Sequence, residues 1–172
     1  MKTVPSFALV VLISMSLCVG CSVKEDRWMC PCRLTLDFSE VNRSVIGYAD
    51  LFVEAGGGSV FTDHLESEDL NGVMTVDVPK GEVFLGVWSG VHDLNDGGGF
   101  RIPYGEDCPP VYFHTSSFTA AGESVREVVG MHKNHCVMNI ITEGNRMQGY
   151  GLTVKGNVCG YGPDGTSLDG KF

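Results

Sequence analysis

The chain has 172 residues, 43% hydrophobic and 19% charged, with 12 basic against 21 acidic residues and a formal net charge of -9. That balance belongs to a globular chain rather than a disordered one, and its scattered basic residues exclude the clustered lysine and arginine that nucleic-acid binding requires. The 23 glycines against 7 prolines, with no charge run, point to many short strands joined by turns.

Residues 1–20 read as a lipoprotein signal peptide. Lys2 supplies the positive start, and residues 7–20 are an unbroken apolar and small-residue run. A membrane span needs about 20 apolar residues, so this run is too short to be one. It ends at Val19-Gly20-Cys21, which resembles the bacterial lipobox, with Cys18 standing where that motif usually carries Leu. In this reading the Cys21 thiol is acylated and Cys21 becomes the mature N-terminus. The other reading is a plain secretory signal cut near Gly20, leaving Cys21 an ordinary thiol. Acyl chains contribute about 0.8 kcal/mol per buried methylene, so several of them anchor a protein effectively for good. An acidic surface has no attraction for anionic lipid, which leaves the acyl chains as the membrane contact. Residues 21–29 are polar and charged and form a tether.

From residue 30 the pattern is that of strands. Residues 33–38 alternate, with Leu34, Leu36 and Phe38 on one face. Residues 48–54 form a second strand, ended by Gly56-Gly57-Gly58 and continued at 60–62 beyond a turn or bulge, and residues 63–71 are a polar connection. Residues 74–78 alternate again and stop at Pro79-Lys80-Gly81. Residues 82–88 are then apolar on both faces, which predicts a hairpin whose second strand is central. Residues 89–107 form a long loop rich in Asp, Asn and Gly, and Cys108-Pro109-Pro110 leads into a short strand at 111–113. Residues 124–130 and 135–141 form a further antiparallel pair around His132-Lys133-Asn134, with another strand at 148–154. The chain is expected to be an all-β antiparallel sandwich over 30–160 with a loose tail at 161–172.

Beyond Cys18 and Cys21, five cysteines remain: Cys30, Cys32, Cys108, Cys136 and Cys159. In an oxidising envelope they serve as disulfides or free thiols, and spacing does not give the pairing. Cys30 and Cys32 lie too close to share a tetrahedral metal without strain, and His132, His135 and Cys136 complete the set that resembles metal ligands. No metal or other cofactor is expected. There is no G-x-S-x-G motif and no phosphate-binding loop after either glycine triplet. Nothing in the sequence points to an enzyme.

Cys21-Ser22-x-Lys24-Glu25-Asp26 followed by Cys30-Pro31-Cys32-x-Leu34-x-Leu36 resembles the start of the Bacteroidales fimbrial anchor lipoproteins, the FimB-like family of the minor-fimbrium anchoring subunit. Further similarities run in order through Val78-Pro79-Lys80-Gly81 with Val87-Trp88-Ser89-Gly90, Cys108-Pro109-Pro110-Val111-Tyr112, His132-Lys133-Asn134-His135-Cys136, and Gly156-Asn157-Val158-Cys159-Gly160-Tyr161. The resemblance implies a transthyretin-like sandwich, acylation at Cys21, residence on the outer membrane at the base of a fimbrium, and shaft subunits as partners. It also implies that Lys24, Glu25 and Asp26 help export to the outer face. Family members usually carry two sandwiches; here the second is expected to be absent, as in a truncated product or a short form that caps or binds without bridging. Subunits of this kind join by strand addition, and Leu34, Leu36 and Phe38 are the candidate groove for a partner strand, with a plain core strand as the other reading. The alternative function is a lipid-anchored module for glycan or host protein, using the 89–107 loop with Phe100 and Tyr104 as its aromatic contacts.

Overall fold

A computed structural model describes residues 30–95, 97–141 and 158–170. Eleven strands follow one another: β1 (Cys32–Asp37), β2 (Tyr48–Ala55), β3 (Gly58–Glu66), β4 (Val73–Val78), β5 (Gly81–Ser89), β6 (Phe100–Arg101), β7 (Tyr112–Ala120), β8 (Ser124–Val128), β9 (His132–Lys133), β10 (Val158–Tyr161) and β11 (Ser167–Asp169). They form a five-stranded sheet in the order β3-β2-β5-β7-β9, a three-stranded sheet β4-β1-β8, and a small sheet β11-β10-β6. The fold is an all-β sandwich, as the alternation requires. One pair departs from the antiparallel rule: β8 runs parallel to β1, with Leu34 opposite Val125.

The main core lies between the two larger sheets. Leu34, Leu36 and Phe38 enter it from β1 and its end, Val76 and Val78 from β4, and Leu51, Val53, Val83, Leu85 and Val87 from β2 and β5. Period-two alternation forces the neighbouring positions of β5 onto the opposite face. There Trp88 packs with Val91, Phe100, Ile102 and Val111 in a second cluster, edged by Phe52, Phe113 and Tyr161. A strand apolar on both faces must be covered on both, and β5 is accordingly the middle strand of its sheet.

Five expectations are corrected. β4 and β5 are not a hairpin: β4 pairs with β1, and β5 pairs with β2 and β7. The Pro79-Lys80 connection carries the chain from one sheet across to the other, because β4 must turn Val76 and Val78 down onto the side chains that β5 turns up. The 63–71 connection is strand as far as Glu66, since the polar residues of β3 face outward while Leu65 points in. The strand at 111–113 runs on to Ala120; its Thr and Ser residues obscured an alternation in which Tyr112, Phe118 and Ala120 face the main core. Residues 135–141 are not a strand and do not pair with β8, whereas 148–154 lie outside the described residues. The tail is hairpinned: Val158 on β10 pairs with Asp169 on β11.

Candidate functional site

Leu34, Leu36 and Phe38 do not line a groove. Their exposures are 0%, 0% and 1%, and β1 is hydrogen-bonded on both sides, to β4 and to β8. A partner strand needs an edge whose N–H and C=O groups are unpaired, and the centre of a sheet has none. The plain core reading is the correct one for these three residues.

The edges lie elsewhere. Among the described residues, β3 and the two-residue β9, which covers only Tyr112 and Phe113 of β7, end one sheet, and β4 and β8 end the other. β3 is long, but its register with β2 shifts at Val53 and Glu54, and it carries Asp63, His64 and Glu66. Bulges and charges are the devices by which natural sheets blunt an edge. β8 carries Arg126 and Glu127. β4 is weakly protected: its six-residue register with β1 is unbroken, Asp77 is its one charge, and Val73 is 59% exposed. Its side chains alternate, with Val76 and Val78 buried and Val73, Thr75 and Asp77 exposed. Such alternation fixes the register of whatever pairs beside it. Sequence reading missed this edge because the same alternation, followed by Pro79-Lys80-Gly81, suggested a partner in β5.

Cys21 lies outside the described residues. The five cysteines of the folded body are all free thiols, with Cys30, Cys108 and Cys136 exposed and Cys32 and Cys159 buried. Cys159 is held in place: its thiol donates to the Asp169 carbonyl at 3.3 Å and accepts from Arg101 Nη1 at 3.9 Å. Cys108, Cys136 and Tyr161 are near enough to influence one another electrostatically. Burial pushes the Cys108 thiol up from its ordinary value, and the charge of Cys136 adds to this. The Tyr161 hydroxyl is raised by burial first and then by the same two thiols.

His132, His135 and Cys136 do not converge on a point, and no group of three or more metal-ligating side chains does so among the described residues. His135 turns its Nδ1 to the Val111 carbonyl, 3.2 Å away. In the loop proposed as a ligand site, Tyr104 is 84% exposed but Phe100 is 3% exposed and belongs to the second core cluster. The two aromatics therefore do not form a paired surface. Two open depressions flank the β2 to β3 turn instead. One, of about 400 Å³, is lined by Glu54, Lys80, Glu82 and Phe84; the other, of about 500 Å³, by Phe52, Glu54, Leu94 and Asn95.

No family model matches the chain, and no curated protein matches it. Among solved structures it is similar to a candidate polysaccharide-binding protein (DUF1812) of Bacteroides thetaiotaomicron, at 16% identity and a TM-score of 0.43 over 58% of this chain and 46% of that one. It is also similar to a fimbrial assembly protein of Parabacteroides distasonis, at 10% identity and a TM-score of 0.35 over 59% of this chain and 52% of that one. The match spans about half the length of these two proteins.

Proposed function

We propose that the chain is an outer-membrane surface lipoprotein, anchored through acylated Cys21, that serves as a structural or anchor component of a fimbrium and joins shaft subunits by strand addition. The observation that carries this reading is the β4 edge: an unbulged, nearly uncharged, alternating strand with no neighbour on its outer side among the described residues. A strand laid along β4 would gain backbone hydrogen bonds from the edge, and the alternation would set its register. The signal-like start, the Val19-Gly20-Cys21 ending and the ordered similarities to the fimbrial anchor family support the same reading.

Two experiments test it. The first is pull-down of a shaft subunit encoded beside this gene. Val73→Lys with Thr75→Lys should leave the fold intact and abolish capture, since both residues face solvent and an edge lysine opposes pairing. Leu36→Lys should instead unfold the protein, because it buries a charge in the core. Undiminished capture by the folded edge variant would rule β4 out. The second is detergent phase partition, in which the wild type should enter the detergent phase and Cys21→Ala should not. A wild type found in the aqueous phase would refute the anchor.

A further inference from the structure

Two segments distant in sequence are pinned side by side at the start of β7. Tyr112 pairs with Lys133, and beyond that pair Asn134 donates its backbone N–H to the Val111 carbonyl at 3.0 Å. His135 Nδ1 sits 3.2 Å from the same oxygen, and the His135 ring meets Tyr112 edge-on with centroids 5.3 Å apart. From β10, the Tyr161 hydroxyl donates to the Asn134 carbonyl at 2.9 Å. The ladder stops there because Pro109 and Pro110 have no N–H to offer.

Each segment carries one cysteine just past these bonds. Continued along the antiparallel register, Cys108 would stand opposite Val137, the residue next to Cys136. Cys136 is thus a diagonal neighbour: directly opposite residues lie about 4.5–5.5 Å apart at Cα, and one further step of about 3.4 Å along the strand gives a diagonal of about 6 Å, inside the roughly 4.4–6.8 Å that a disulfide spans. Outside the ladder their side chains are not committed to opposite faces, and both residues are exposed. Cys32 and Cys159 lack such a neighbour across the sheet: β4 and β8, which flank Cys32, carry no cysteine, and neither do β6 and β11, which flank Cys159.

We propose that Cys108 and Cys136 are the pair that closes into a disulfide when the folded chain meets a disulfide oxidant. The Cys136 thiolate attacks one sulfur of the oxidant, glutathione disulfide for example, and expels one glutathione thiolate. The Cys108 thiolate then attacks the Cys136 sulfur of the mixed disulfide and expels the second. The two protons lost by the cysteines end on the two glutathione thiols, and the two electrons reduce the glutathione disulfide. Partial desolvation holds the Cys108 proton more tightly than usual, and the reverse order of attack would close the same bond. The bond would fasten residues 134–136 to the start of β7, on the side of that strand away from β5. The pairing follows from the fold and does not depend on where the protein resides.

The test uses the full chain, reduced and then equilibrated with glutathione disulfide, trapped by alkylation and mapped by peptide mass spectrometry. The expected product is a peptide linking Cys108 to Cys136, lost on treatment with dithiothreitol. Cys108→Ser should leave Cys136 stalled as a glutathione mixed disulfide, while the wild type resolves it; far-UV circular dichroism confirms that the variant is folded. Either cysteine linked elsewhere, both alkylated after another pair has formed, or a wild type that keeps the mixed disulfide at Cys136 would overturn the pairing.

Discussion

Arg126 on β8 donates to the carboxylate of Asp37 on β1, joining the two parallel strands of the three-stranded sheet by a side-chain bond as well as by their ladder. Asp37 is the one buried charged residue among those described. A buried carboxylate must be compensated, and this one also accepts the Ser39 backbone N–H at 3.0 Å. The Arg126 bond, then Ser39, lower its pKa from 3.8 to about 2.

A lowered carboxylate contributes stability above its unfolded value and loses it as pH falls through its folded value. For Asp37 the window runs from about 4 down to about 2. Urea midpoints measured across that window should fall with pH for the wild type, and Asp37→Asn should start lower at neutral pH and show a shallower decline. An equally steep decline in the variant would mean that other carboxylates govern acid unfolding.

Leu85 is the test of β5 as the spine of the fold. It sits at the middle of the central strand, 0% exposed, with β2 and β7 on either side. Leu85→Ala should cost about 2–5 kcal/mol in urea unfolding, from lost burial and the cavity left behind. Val73→Ala on the β4 edge should stay within about 0.5 kcal/mol, as surface changes usually do. Similar losses at both positions would contradict the assignment of core and edge.

The central place of β5 was legible because residues 83–88 are apolar at successive positions, and the inward faces of β1 and β2 because they alternate. Partner choice was not legible. Local alternation says which way Val76 and Val78 point, yet nothing within residues 73–89 says that the chain crosses the sandwich at Pro79 rather than turning back. The same gap hid the β4 edge and left open whether Leu36 lines a groove or the core, since its strand gains two neighbours only through contacts with residues far along the chain. β7 was underestimated for another reason: His114, Thr115, Ser116 and Ser117 look like loop, but the strand between β5 and β9 needs few large side chains once Tyr112, Phe113 and Phe118 supply its packing.

His64 on β3 offers a pH response of opposite sign. Its Nδ1 lies 2.6 Å from Asp50 Oδ1 on the neighbouring strand, and that hydrogen bond raises its pKa above 6.5. A raised histidine contributes stability that is fully present below its unfolded value and is lost as pH rises through its folded value. The imidazole is 53% exposed, so the effect on stability should be small, within the range of about 0–1 kcal/mol typical of surface pairs. The sharper reading is the titration itself: nuclear magnetic resonance should place the His64 midpoint above 6.5, and Asp50→Asn should bring it down. An unchanged midpoint in that variant would remove Asp50 as the cause.

The last prediction concerns how the second core cluster closes over Trp88. The indole packs against Phe113 with centroids 4.5 Å apart and meets Phe100 edge-on at 6.4 Å. Its remaining side is covered by backbone: a Cβ added at Gly86 would lie 3.1 Å from Trp88 Nε1, and one at Gly98 would run into the same nitrogen. Gly98 also has φ of +98, a conformation that side-chain-bearing residues rarely adopt. Gly98→Ala therefore combines overpacking with backbone strain, and should cost about 1–3 kcal/mol. The chain has 2 tryptophans, so the comparison is best made in a Trp28→Phe background, where fluorescence reports Trp88 alone. The Ala variant should show a lower urea midpoint and a red-shifted folded-state emission, because the loop must lift to admit the methyl group and water then reaches the indole. Ala at Gly105, where an added Cβ meets nothing within 4 Å but φ is +83, should lower the midpoint through strain while leaving the emission in place. Matching emission shifts at the two positions would show that Gly98 does not cap the tryptophan.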